Sequence, residues 1–398
     1  IQHRMSGFGV GDGTRRGFQD MNDFPGFLDL LRSQRSDRSQ VSLTRPPQAI
    51  GPVSYGDRTD LRSELERFER ASADAGFVDR FVTAPSPGIV VAAMANRYYS
   101  SDDEYLAAVA EALGVEYRAV NDAGHLLQID APDLAMERHG AFRDRPLGDF
   151  RGFVDSVVAA INQATEDLDP SRIRLHVCWG NYEGPHTHDV DLADLLDSLS
   201  QARVGGLLLS GGNPRHEHEY REFARSPLPE GWTLAAGVID TTTNYVEHPE
   251  VVADRLVRTA EVIGDPGRIV AATDCGFDTA AGFGVVAADV AWAKVASLRA
   301  GADLASERLF AWARLPFCPP TLELADTGVA VTATACRRRR ERRPAQAERQ
   351  RALLSAGRTP TRIATTVSGM ATSLPRRRFG IVHDFRCPPG SDVPMPQV

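Results

Sequence analysis

IRLHVCWG, residues 173–180, reads as a β-strand that changes character at its carboxyl end. His176 and Cys178 stand two apart, so on an extended chain their side chains leave the same face. IVAATDCGF, residues 269–277, repeats the form: an apolar run, then Cys275, then a glycine and a loop. Polar residues that gather where strands end are what a closed barrel of parallel strands calls for, because there the strand ends converge on one mouth.

Outward from these two strands, apolar β-type runs recur with amphipathic segments between them, the mark of repeated β-α units. The further strands expected are near VSLTRPPQAIGP (41–52), DRFVTAP (79–85), HLLQIDAP (125–132), VGGLLLSGG (204–212) and TLAAGVID (233–240), seven in all. Helices are predicted over 60–75, 101–123, 147–165, 191–202, 248–264 and 287–309, several starting with a Ser or Asp that suits the first turn. The fold class is therefore α/β, and the choice lies between a TIM (β/α)8 barrel and a doubly wound open sheet. Strand counting leaves the two even, and the polar strand ends favour the barrel. Seven units are one short of eight, so the first β-α unit is expected to be missing from the sequence given. The main body is drawn as 1–308. Residues 309–398, punctuated by proline and rich in arginine, are expected to form a disordered tail.

The 398 residues are 42% hydrophobic and 25% charged, which is ordinary for a globular protein and excludes collagen, coiled coil and wholesale disorder. The net charge of −8 hides an asymmetry: residues 309–398 carry +9 and residues 1–308 carry −17. So acidic a body repels phosphate backbones, which argues against a nucleic-acid substrate. The basic run Arg337–Arg340 with Arg342 and Arg343 lacks aromatic interleaving and reads as a solvated tail. No apolar run reaches the ~18 residues that span a bilayer, and the first residues lack a signal-peptide centre. The expected location is the cytoplasm, with no membrane partner. Five cysteines at 178, 275, 318, 336 and 387 make a poor disulfide framework and suggest metal or thiol chemistry.

If the ends of the two strands meet, His176, Cys178 and Cys275 form a soft ligand set suited to zinc. The 97-residue gap between the cysteines is far too long for a zinc-finger loop, so the set implies a catalytic ion rather than a structural one. Taken singly, each residue is more economically a buried core residue; only the trio carries weight. A rival comes from PHTHD (185–189) and RHEHE (215–219), whose His186, His188, His216, His218, Glu217 and Glu219 would suit a hydrolytic zinc. These clusters follow the strand ends, where shaping the mouth or making salt bridges is the plainer role. Asp130 and Asp240 also end apolar strands and are candidates to bind substrate, against the equal alternative of capping a turn. Asp274 should point away from Cys275. The early GFGVGDG has neither the preceding strand nor the glycine order of a phosphate loop.

LLQIDAPDLA (126–135), RLHVCWGNYEGPHTHDV (174–190), GGNPRHEHEY (211–220), GVIDTTTNYVEHPE (237–250) and ATDCGFDT (272–279) together resemble the cobalamin-independent methionine synthase family. The likeness is to its single-barrel members related to the catalytic C-terminal domain, and it covers roughly residues 12–308. It implies a barrel of the methionine synthase and uroporphyrinogen decarboxylase type. It also implies a zinc-bound thiol, homocysteine in the synthases, that takes a methyl group from methyltetrahydropteroyl-glutamate. His176, Cys178 and Cys275 match three family zinc ligands, and Asp130 matches the carboxylate that holds the amino group of the thiol substrate. Three positions depart: Ser210 stands where a further glutamate ligand is expected, Thr14 where the synthases have a glutamate, and Thr242 where they have a histidine.

With two thiolates and a neutral imidazole the site is formally neutral, which eases thiol deprotonation but weakens the nucleophile. Thr242 removes a proton source for the leaving donor. The expected activity is thus transfer of a methyl or alkyl group to a thiol, with Asp130 orienting the thiol and Asp240 and Asn181 holding the donor. An epoxyalkane to coenzyme M transferase fits these departures equally well. A zinc hydrolase and an inactive, truncated homologue are the other classes left open.

Overall fold

The computed structural model describes residues 4–11, 19–35, 46–277, 285–310, 366–367 and 381–383. In chain order the main elements are β1 (Met5–Gly9), α1 (Gln19–Asp23), α2 (Pro25–Arg35), β2 (Gln48–Tyr55), α3 (Thr59–Ser72), β3 (Phe81–Pro85) and α4 (Pro87–Ala93). They continue through β4 (Ala95–Asn96), α5 (Asp102–Asp122), β5 (Leu126–Asp130), α6 (Asp133–Met136), α7 (Leu147–Ala164), β6 (Ile173–Val177), α8 (Leu196–Leu199), β7 (Gly206–Leu209) and β8 (Thr233–Ile239). The last are α9 (Pro249–Ile263), β9 (Ile269–Thr273), α10 (Ala288–Phe310), β10 (Thr366–Val367) and β11 (Ile381–His383).

Eight strands lie in the order β10-β11-β9-β8-β7-β6-β5-β3, every neighbouring pair parallel. Parallel neighbours need crossovers, and α5, α7, α9 and α10 pack close to the predicted ranges. β6 and β7 are buried along their whole length, which is why they read as apolar runs. Ser101 caps α5 by accepting from the Glu104 N–H, with Asp102 and Asp103 in the first turn. α9 starts with Pro249 and stops at Gly264 in a left-handed conformation. α9 and α10 approach so closely at Gly301 that an added Cβ would sit 2.4 Å from Val252 side-chain atoms.

The strand expected over 41–52 is corrected. β2 starts at Gln48 and joins β1 antiparallel and β4 parallel in a separate three-stranded sheet. Its burial alternates along much of its length, unlike the continuous burial of β6, and it belongs to a sheet with one wet face. The Pro46-Pro47 pair just before it limits how far it can extend. Of the expected tail, the end of α10 and the short parallel strands β10 and β11 are described; the rest lies outside the described residues, as does Thr14. Among the described residues no ladder joins the β3 edge to the β10 edge, and no helix is long and apolar enough to cross a membrane.

Beneath the site, Asp133 is fully buried at the start of α6. Ser86 donates to its Oδ1, while Oδ2 has no hydrogen-bond partner and faces Gly88. Burial pushes this carboxyl up to about 7, against the Ser86 bond that lowers it. The native state therefore holds a proton that the unfolded chain releases near pH 4, and stability falls as pH rises from there through about 7. Three pKa units correspond to about 4 kcal/mol. Asp133→Asn should remove most of this slope, as read from denaturation midpoints between pH 4 and 8; a slope equal to that of wild type would contradict the assignment.

Candidate metal centre

β6 and β9 deliver the three residues singled out from their strand ends. One ligand atom each from His176, Cys178 and Cys275 falls within 4.8 Å of the others, with His176 and Cys178 buried and Cys275 partly exposed. Gly180 makes the sharp exit from β6, with φ at 113°, and its N–H donates to Cys178 Sγ at 3.3 Å. Hydrogen bonding from Cys275, helped by the nearby charge of a protonated His176, draws the Cys178 thiol well below its ordinary range despite burial.

His176 is held from behind. Its Nδ1 lies 3.0 Å from Asp130 Oδ1, which also accepts from Gln128 Nε2 at 2.8 Å. Gln128 Oε1 in turn accepts from Arg174 Nε and Nη2 at 2.9 and 2.7 Å. Burial would lower the imidazole's pKa, but Asp130 and Cys178 outweigh it and push the value up to about 10. With Nδ1–H donated to Asp130, Nε2 would be the atom left to hold a metal ion. Nε2 is buried with no hydrogen-bond partner of its own. An orphaned imidazole nitrogen beside two thiols, with its tautomer set by a carboxylate, fits a zinc ion.

Gln128 and Arg174 were not foreseen. The signal was present: each precedes a site residue by two positions and so shares its face, a polar residue in phase with the site inside an apolar strand. Arg174 also stacks on Phe81, with its guanidinium carbon 4.6 Å from the ring centroid. Asp130→Asn should weaken zinc affinity by about 10–100-fold, the usual cost of losing a partner that orients a ligating histidine. Competition with a chromophoric chelator measures it; unchanged affinity would show that the Asp130 contact is incidental.

The remaining candidates make contacts of other kinds. Asp240 Oδ1 accepts from the Thr242 N–H and hydroxyl, both at 2.8 Å, which is a local turn. Asn181 braces three loops: its Nδ2 donates to Gly276 O and its Oδ1 accepts from Thr241. Ser210 is buried and donates to the Asp274 carbonyl. The Asp274 carboxylate accepts from the backbone N–H groups of Gly211, Gly212 and Asn213. Burial nonetheless raises it to about 6.

The rival histidines divide. His186 and His216 meet at Asp189 in a second compact set, whereas His188 pairs with Asp23 near the surface, Glu217 pairs with Arg258 and His218 is exposed. Glu219 accepts from the Leu192 N–H.

No protein-family model matches the chain. A methionine synthase from Thermococcus kodakarensis is 30% identical over 182 residues, which is 46% of this chain and 46% of that protein. A 2-hydroxypropyl-CoM lyase from Xanthobacter autotrophicus is 24% identical over 205 residues, 45% of this chain and 50% of the relative. A methionine synthase from Saccharolobus islandicus is 23% identical over 233 residues, 57% of this chain and 59% of the relative. The chain thus spans about half the length of the relatives it matches. In structure it resembles a B12-independent methionine synthase from Shewanella sp. W3-18-1, with a TM-score of 0.55 at 18% identity over 78% of this chain and 79% of that one, a likeness of fold. By the sequence matches, the chain is related to the methionine synthase family.

Proposed function

We propose that this chain transfers a methyl or other alkyl group to the sulfur of a small thiol, using a zinc ion held by His176, Cys178 and Cys275. The observation that carries the reading is the meeting of an unpartnered imidazole nitrogen with two thiols from the ends of β6 and β9, two strands that β7 and β8 separate in the sheet. The similarity to methionine synthases and to a 2-hydroxypropyl-CoM lyase supports it. Residues 1–308 are read as the catalytic unit, and the parallel strands as staves of a barrel whose mouth holds the site.

Zinc, when bound, supplies the Lewis acidity that keeps a substrate thiol ionised at neutral pH. The chain's own residues do the rest. Asp130 fixes the His176 tautomer, and its side chain, 19% exposed, can also accept from an ammonium group on the thiol substrate. Cys178 and Cys275 contribute two negative charges, and Ser210, turned to the Asp274 carbonyl, adds none. Asp240 and Asn181 stand on the rim assigned to the alkyl donor. Thr242 is no acid, so a departing group that needs a proton must draw it from water or from the substrate.

The test offers zinc-loaded protein two pairs: homocysteine with methyltetrahydropteroyl-glutamate, and 2-mercaptoethanesulfonate with epoxypropane. Thiol-dependent S-alkyl product from either pair supports the reading and selects the donor class. No S-alkylated product, or hydrolysis of ester or amide substrates without a thiol, would overturn it.

A further inference from the structure

His186 and Asp189 lie on the loop after β6 and His216 on the loop after β7, in a set that alkyl transfer does not use. His186 Nδ1 and His216 Nε2 both face Asp189 Oδ2, at 2.9 and 2.8 Å. The far nitrogen of each ring also faces an oxygen. His186 Nε2 is 3.0 Å from the Tyr182 carbonyl, and His216 Nδ1 is 3.4 Å from Glu219 Oε1. A neutral imidazole has one N–H and can satisfy only one of its two oxygens. With the far N–H groups donated outward, two nitrogen lone pairs and a carboxylate oxygen are left facing one point. Such a point repels its own walls unless a metal cation sits there or each ring takes up a second proton. Outward donation to a carbonyl and a carboxylate is also how ligating histidines are oriented.

Other features of the cluster agree. The side chains of His186, Asp189 and His216 are 12%, 2% and 4% exposed, and Asp189 Oδ1 is buried with no hydrogen-bond partner. Each ring is clamped by an aromatic neighbour, His216 on Trp179 at 4.0 Å and His186 on Tyr182 at 4.2 Å between centroids. His186 has φ at 52°, and among the described residues no other non-glycine has a positive φ. A left-handed histidine costs roughly 1–3 kcal/mol and persists where its surroundings hold it.

We propose that His186, Asp189 and His216 bind a second divalent ion, zinc being the best match, as a three-ligand clamp between the loops after β6 and β7, with water as the fourth ligand. Two imidazoles and a carboxylate are ordinary zinc ligands. A tetrahedral ion with bonds of about 2.0–2.1 Å sets its ligand atoms roughly 3.3 Å apart, so the present contacts need open by only about half an ångström. Asp189 and Glu219 together balance the dication. The clamp fixes Trp179, the residue next to Cys178, and so steadies the strand end that carries a thiol of the first site.

The test counts metal in full-length wild type, His216→Gln and Cys275→Ser after chelation, reloading with zinc and desalting. Two equivalents in wild type, with each variant losing one, are expected. One equivalent kept in Cys275→Ser and lost in His216→Gln would also uphold the clamp, while removing the thiolate site. One equivalent in wild type that His216→Gln retains would overturn the clamp and leave protons as the occupants of the cluster. Should His216→Gln not fold, cobalt titration of wild type decides. The clamp predicts visible bands that grow with cobalt added beyond the thiolate-to-metal absorption, and their absence overturns it.

Discussion

Cys275→Ser is expected to bind zinc at the thiolate site at least about a hundredfold more weakly than wild type and to lose thiol alkylation in proportion. Structural zinc sites in small peptides bind with about 10–16 kcal/mol, so one of three or four ligands accounts for roughly 3–4 kcal/mol. At about 1.4 kcal/mol per tenfold this is two to three decades. A serine hydroxyl does not ionise at neutral pH and is a far poorer ligand than a thiolate. The substitution removes one sulfur from a partly exposed position at the end of β9, so the fold should survive. Chelator competition reads the affinity, product formation the activity, and circular dichroism the fold. A folded variant with wild-type zinc affinity and turnover would take Cys275 out of the centre.

Lys294→Ala is expected to destabilise the protein by about 3–5 kcal/mol, the cost of leaving a buried charge without its partner. Lys294, the chain's only lysine, is fully buried in α10. Its Nζ bonds to both oxygens of Glu247, at 3.1 and 2.9 Å, and to the Asp240 carbonyl at 3.0 Å. Glu247 also accepts from the Asp240 N–H at 3.0 Å, so the pair ties α10 to the segment after β8. The double variant Lys294→Met with Glu247→Gln keeps an acceptor for that N–H and removes both charges. It should lose clearly less than the single variant, because replacing a whole buried pair costs less than breaking it. Denaturant titration compares the two. Equal losses would show that the ion pair itself is not what holds this segment to α10.

The parallel core was legible because buried strands are continuous apolar runs with turn residues after them, and β5 through β9 all announce themselves in this way. β2 misled because a half-buried antiparallel strand next to a proline pair is apolar enough to pass for a buried one. α4 escaped notice: its seven residues follow β3 almost directly, too few to show a period. His176, Cys178 and Cys275 could be found since strand ends in such folds converge, whatever their separation in sequence. The meeting of His186 with His216 could not, because it depends on two irregular loops whose paths no period records. Gln128 and Arg174 lie in phase with Asp130 and His176, but a polar residue inside an apolar strand does not itself show which neighbour it bonds.

X-ray absorption at the zinc edge observes directly whether sulfur and imidazole from two distant segments grip one ion. In His216→Gln protein carrying one equivalent of zinc, two sulfur neighbours at about 2.3 Å and an imidazole nitrogen at about 2.0 Å are expected. A zinc surrounded only by nitrogen and oxygen would rule out the thiolate centre.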